Sequence, residues 1–171
     1  NPNAGRESAL TKVLQLVKLL SKDKCQIILQ FTHEEKDSTK FAMNDDGEDL
    51  VVCCGGDGTV NGVVNGLYRS ERRKPLAILQ CGTVNDFATY LNLPSTPYKL
   101  YRMIKTGKII KSDVGKVSNE DSHRYFFNVF AVGNIASVSY VTDKAQKAIF
   151  GRLAYIVEGL KELPNTLNQP M

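Results

Sequence analysis

The sequence predicts an α/β fold: a domain built on a parallel sheet, followed by the beginning of a second, antiparallel unit. Three observations carry that expectation. Residues 27–31, 50–54 and 76–79 are short apolar runs, too short for helices and suited to strands buried on both faces. Between the last two runs, Val60, Val63, Val64 and Leu67 obey the i, i+3, i+4, i+7 rule. A helix over 59–68 therefore links two strands into a β-α-β unit. From Ile109 the pattern becomes alternating: 109–117 and 124–132 read as strands, and the polar residues 118–122 as the turn of a hairpin.

The remaining elements follow in order. Leu10, Val13, Leu14, Val17 and Leu20 recur at helical spacing, which predicts an amphipathic helix over roughly 7–21, fed by the loop Asn1-Pro2-Asn3-Ala4-Gly5. After the third strand come Gly82 and Thr83, a helix over 86–91, a break at 94–97, and a helix over 98–106 stopped by Gly107. A last helix is expected over 145–163, ended by Pro164. The expected division is 1–110 for the first domain and 111–171 for the start of the second. A loop such as 1–5 is normally fed by a strand, so the first strand of the sheet is expected ahead of Asn1.

With 42% hydrophobic and 23% charged residues, the chain is neither disordered nor fibrous. Four cysteines, two of them adjacent, do not make a disulfide framework, which points to a reducing compartment and buried thiols. No run of about 18 apolar residues and no leader pattern is present, so the expected location is cytoplasmic. The net charge of +4 includes a cluster at Arg69, Arg72, Arg73 and Lys74, read as a solvated helix end in preference to a patch facing anionic lipid.

The chemistry concentrates at Gly55-Gly56-Asp57-Gly58-Thr59, between a strand and a helix. Backbone N–H groups of a glycine-rich turn at a helix N-terminus form an anion site. An aspartate inside a phosphate cradle repels the ligand unless a cation lies between them, and Mg²⁺ held through water suits that place. The other reading is a tight turn in which Asp57 caps the helix that follows it. Neither the dinucleotide fingerprint nor a Walker loop fits, because the third glycine position falls on Asn61 and no Gly-Lys-Ser/Thr follows. A second cluster, Gly82-Thr83-Val84-Asn85-Asp86, follows the next strand and should emerge at the same edge of the sheet. Asn85 or Asp86 as a plain helix cap is the alternative there.

Taken in order, the motifs at 1–5, at 55–59 with Asn61, at 82–88, and at Asp113-Val-Gly-Lys followed by Arg124-Tyr-Phe-Phe-Asn-Val resemble the bacterial diacylglycerol kinase-like lipid kinases. That family also contains sphingosine and ceramide kinases and is more distantly related to NAD kinases. The resemblance implies a three-layer, parallel-sheet ATP-binding domain packed against an antiparallel β-sandwich. It implies ATP contacts at Asn1, Pro2, Asn3, Ala4, Gly5, Thr32, Gly56, Asp57, Gly58, Thr59, Val60, Asn61, Gly62 and Thr83. Asp57 would be the catalytic carboxylate, and Asp57 with Asp86 would hold Mg²⁺ through water. The implied acceptor is a lipid hydroxyl, diacylglycerol first, reached by peripheral contact with the inner membrane face. No nucleic-acid partner is expected, and a homodimer is one assembly open to it. Asp113 is left between a role at the interdomain connection and one in the metal's outer shell. Where the family usually has Glu after Asn61, this chain has Gly62. The family's proposed base and further metal-binding acids lie later in the sandwich domain, so this chain alone is expected to bind nucleotide weakly and to transfer nothing. A nucleotide-binding regulatory module of the same fold and an NAD kinase-like enzyme are the competing readings. The Gly-Thr-x-Asn-Asp-Phe form of the second cluster weighs against the latter.

Overall fold

Two of the apolar runs become a parallel pair. In the computed structural model, which describes residues 1, 2, 4, 9–107 and 109–128, β1 (Val51–Gly55) pairs with β2 (Leu76–Gln80), Val51 opposite Leu76 and Gly55 opposite Gln80. The connection is α3 (Asp57–Arg69), preceded in the chain by α1 (Ala9–Leu20) and α2 (Asp37–Met43) and followed by α4 (Asp86–Tyr90) and α5 (Pro97–Thr106). Strand side chains alternate between the two faces. Cys53 and Ile78 join Ala42, Val60, Val63, Val64, Leu67 and Ala88 in one core, while Ala77 and Leu79 join Ala9, Val13, Leu16 and Leu100 in the other. Helices thus cover both faces of the pair, with Leu79 and Leu100 fully enclosed.

Several elements depart from expectation. The helix after the glycine loop starts at Asp57, two residues early, which puts the aspartate in its first turn. The stripe of α1 is rotated: Ala9, Val13 and Leu16 are buried, while Leu10 and Leu14 are exposed. Residues 27–31 form no strand, because a strand needs a hydrogen-bonded neighbour and these residues have none. Ile28, Leu29 and Phe31 remain 51%, 45% and 40% exposed along an open cleft of about 690 Å³. Its other wall is the edge of β1 that faces away from β2, where the Asn1 ammonium donates to the Cys54 carbonyl at 2.9 Å.

α2 is an element the apolar pattern did not announce. It crosses α3 where Gly62 and Gly66 leave room, and Thr39 Oγ1 donates to the Gly62 carbonyl at 3.0 Å. A Cβ at position 66 would lie 2.4 Å from the Thr39 carbonyl oxygen, so the approach requires glycine there. α5 starts one residue early, with Pro97 in its first turn and the Thr96 hydroxyl accepting from Lys99 N–H.

The antiparallel unit is visible as one hairpin, β3 (Gly115–Ser118) with β4 (His123–Phe126). The Asn119 side chain closes its turn by accepting from the N–H of Asp121 and Ser122. The first strand is shorter than expected, since Ile109 and Ile110 are exposed and meet no partner strand. The expected strand beyond 128 and the helix at 145–163 lie outside the described residues.

The basic cluster is consumed by local structure. Arg72 forms a two-pronged ion pair with Asp45, and Arg73 lies over the Tyr68 ring at 4.5 Å. Arg69 donates to the His123 carbonyl, and the Lys74 side chain, 1% exposed, donates to Glu48 at 2.6 Å and to the Asn44 carbonyl. All four cysteines are free, and burial pushes the Cys53 and Cys54 thiols up to about 12. Among the described residues, no helix is long and apolar enough to cross a membrane.

Candidate functional site

Both glycine-containing loops leave the carboxyl ends of adjacent parallel strands, so the sheet itself brings them together. At Gly56 and Gly82 they meet backbone to backbone. A Cβ on Gly56 would stand 3.0 Å from the Gly82 Cα, and one on Gly82 would stand 2.4 Å from the Gly56 Cα. The Cys81 N–H donates to the Gly55 carbonyl at 3.0 Å, carrying the ladder one step past the strands. Asn85 then braces the second loop: its Oδ1 accepts from Gly82 N–H at 2.9 Å and its Nδ2 donates to the Gly82 carbonyl at 2.7 Å. It does so in the left-handed region, φ 54°, which asparagine tolerates better than most residues.

Asp57 ties the loops together. Its Oδ2 accepts from Asp86 N–H at 3.2 Å and its Oδ1 from Phe87 N–H at 3.3 Å, so it caps the first turn of α4 from another element. Asp57 does not cap the helix of its own loop, whose N-cap is Gly56 without a side-chain bond; it caps one that starts 29 residues further along the chain. This does not exhaust the group. A carboxylate has about four acceptor positions, and two long N–H contacts leave room for water or a water-bound cation on the open side. Among the described residues no group of three or more His, Cys, Asp or Glu is placed to hold a metal. Mg²⁺ needs no such group, since it typically takes one or two carboxylates, waters and substrate phosphates. Asp57, with acceptor capacity to spare, fits that arrangement, and its bond to the Asp86 N–H sets the second acidic residue next to it.

The other expected site residues sort by position. Gly58 and Asn61 are exposed on the outer side of the first turns of α3. Thr59 sits over Gly55, whose Cβ position it fills. The Val60 side chain is buried in the core, so only its backbone faces the loop. Gly62 faces α2, and a Cβ there would meet Ser38 Oγ at 2.0 Å. Thr83 is exposed at the tip of the second loop. Asn1, Pro2, Thr32 and Thr59 line the same open cleft beside β1, and Ala4 N–H donates to the Asn1 carbonyl at 3.3 Å. Asn3 and Gly5 lie outside the described residues. Asp113 is exposed in the segment before β3.

Three contributors had no role assigned from sequence: Gly82, whose bare Cα admits Gly56; Phe87, packed at a tilt of 54° against Phe127 with centroids 4.3 Å apart; and Asn65, buried in the middle of α3. Asn65 falls outside the apolar stripe of Val60, Val63, Val64 and Leu67, so helical spacing carried no signal for it.

The chain is similar to known proteins in sequence and in fold. The family model for the diacylglycerol kinase catalytic domain matches residues 1–117. A diacylglycerol kinase of Staphylococcus carnosus is 35% identical over 171 residues, covering 98% of this chain and 54% of that protein. One of Staphylococcus epidermidis is 42% identical over 116 residues, 68% of this chain and 35% of that protein. A crystal structure of a diacylglycerol kinase from Bacillus anthracis superposes with a TM-score of 0.60 at 33% identity, covering 67% of this chain and 42% of that one. The chain spans about half the length of the first of these relatives.

Proposed function

Since the chain belongs to the diacylglycerol kinase catalytic-domain family, we propose that it is the nucleotide-binding part of an ATP-dependent lipid kinase. The full-length protein moves the γ-phosphate of ATP to a lipid hydroxyl, diacylglycerol giving phosphatidic acid, by peripheral contact with the inner membrane face. The observation that carries this reading is the junction of the two loops: backbone donors of 56–59 open beside a carboxylate that also grips the second loop.

Each residue has a task in this reading. The N–H groups at the start of α3 receive phosphate oxygens, helped by the helix dipole. Asn61 and Thr83 offer side-chain donors at the rim. Asn1, Pro2 and Thr32 border the cleft beside β1, on the side where the remainder of the nucleotide lies. Asp57 fixes the distance between the loops while keeping acceptor capacity toward the phosphates. Bound Mg²⁺, held through water by Asp57 and Asp86, supplies neutralisation of the charge that builds on the transferred phosphoryl group.

The test is transfer from labelled ATP to diacylglycerol by the full-length protein with Mg²⁺, alongside Asp57→Ala. Phosphatidic acid from wild type and none from the variant supports the assignment, and robust transfer by Asp57→Ala removes it. A second reading, a nucleotide-binding module without transfer, draws on Gly62, where Ser38 occupies the space a glutamate side chain would enter. ATP binding without turnover on any of a panel of lipids would favour it.

A further inference from the structure

Asn65 is a fully engaged buried amide in the middle of α3, 7% exposed, on the helix that starts at the glycine loop. Its Oδ1 accepts from Tyr125 N–H at 2.9 Å and its Nδ2 donates to the Tyr125 carbonyl at 2.8 Å, so the side chain pairs with β4 as a neighbouring strand's peptide would. These two bonds fix which end of the amide is which. Tyr125 N–H can only be met by an oxygen, and the Tyr125 carbonyl only by a donor. The second Nδ2 proton is then shared, at 2.9 Å with the Asn61 carbonyl and at 3.4 Å with Asn61 Oδ1. Asn61 is exposed, one turn nearer the loop. With its Oδ1 turned toward Asn65, its Nδ2 is left on the open side.

We propose that Asn65 is a positioning residue: the backbone of Tyr125, acting through Asn65, orients the Asn61 carboxamide so that it presents a donor to an anionic ligand at the glycine loop. The ligand class is a phosphate-bearing nucleotide, and the inference rests on the nucleotide-binding reading above. A flipped Asn61 would turn an acceptor toward phosphate and repel it. The hairpin thereby selects the polarity of a site it does not touch.

The experiment is a double-mutant cycle on the full-length protein, with ATP affinity and thermal stability measured together. Asn65→Asp removes the donor that holds Asn61 Oδ1, and Asn65→Ala removes it without adding charge. Each is combined with Asn61→Ala. Asn61→Ala and Asn65→Asp should each weaken ATP binding about tenfold, the scale of one hydrogen bond to a charged group. The double variant should bind no more weakly than Asn61→Ala alone, while the loss of melting temperature from Asn65→Asp is the same in both backgrounds. Affinity losses that multiply would overturn the proposal, since a merely structural asparagine weakens binding whether or not Asn61 is present. If Asn65→Asp does not fold, Asn65→Ala decides by the same comparison. Wild-type protein that binds no ATP overturns the nucleotide reading itself, an outcome distinct from multiplying losses.

Discussion

Asp57 serves two loops with one carboxylate, and the two duties separate under substitution. Asp57→Ala removes both acceptors for the first turn of α4 and should lower stability by about 1 kcal/mol, as for loss of a helix cap, besides abolishing transfer by the full-length protein. Asp57→Asn keeps one acceptor oxygen but turns an NH2 toward the other N–H, so it should recover at most part of that stability in urea unfolding and none of the transfer. Equal transfer by wild type and Asp57→Asn would show that the charge is not used. The turn of 55–59 into a helix was legible in the sequence because glycine spacing before a helix is a local signal. The cap was not legible, because its donors, Asp86 and Phe87, are brought in by the pairing of β1 with β2. Asn65 is a similar case: it lies off the apolar stripe of its helix, and the partner that buries it, Tyr125, is 60 residues away.

Among elements, the packing of α2 on α3 depends on two glycines in different degrees. At Gly66 a Cβ would strike the backbone oxygen of Thr39, which cannot move aside, so Gly66→Ala should destabilise by about 1–3 kcal/mol despite alanine's advantage of about 1 kcal/mol in helix propensity. At Gly62 the nearest atom is the Ser38 hydroxyl, which can rotate, although Ser38 Cβ at 3.1 Å is tight. Gly62→Ala should therefore cost less than Gly66→Ala, and denaturant unfolding of both variants checks the order. Gly62→Glu should lower stability unless paired with Ser38→Gly, so recovery of a carboxylate at this position calls for the double variant. α2 was not legible because it is seven residues long and buries only Ser38 and Ala42, too little for a periodic pattern. Residues 27–31 mislead in the opposite direction: their composition suits a strand, but strand formation is decided by a neighbour and not by the segment itself.

Across the molecule, ion pairs tie the connection before β1 to the connection before β2. Burial tends to raise the Glu48 carboxyl, but the Lys74 hydrogen bond and backbone N–H groups outweigh it and hold it below its ordinary range. The Arg72 guanidinium does the same, more strongly, for Asp45. Groups whose folded values are lowered contribute stability above their unfolded values and lose it as pH falls through the folded ones. The melting temperature should therefore fall once the pH drops below about 4, the ordinary carboxylate range. Glu48→Gln should cost about 2 kcal/mol at neutral pH, the scale of a hydrogen bond to a charged group, and should show a shallower acid dependence than wild type. An equally steep acid loss in the variant would place the titrating groups elsewhere. At this scale the α/β class and the order of the segments from β1 to α5 were readable from apolar spacing. The engagement of all four basic residues at 69–74 was not, because charge in a sequence does not reveal its partners.

The most direct test of the account is transfer of label from γ-labelled ATP to diacylglycerol by the full-length protein in the presence of Mg²⁺, with Asp57→Ala assayed beside it. Labelled phosphatidic acid from wild type and its absence with Asp57→Ala is the predicted result. ATP binding with no transfer to any lipid hydroxyl, or undiminished transfer by Asp57→Ala, would contradict it.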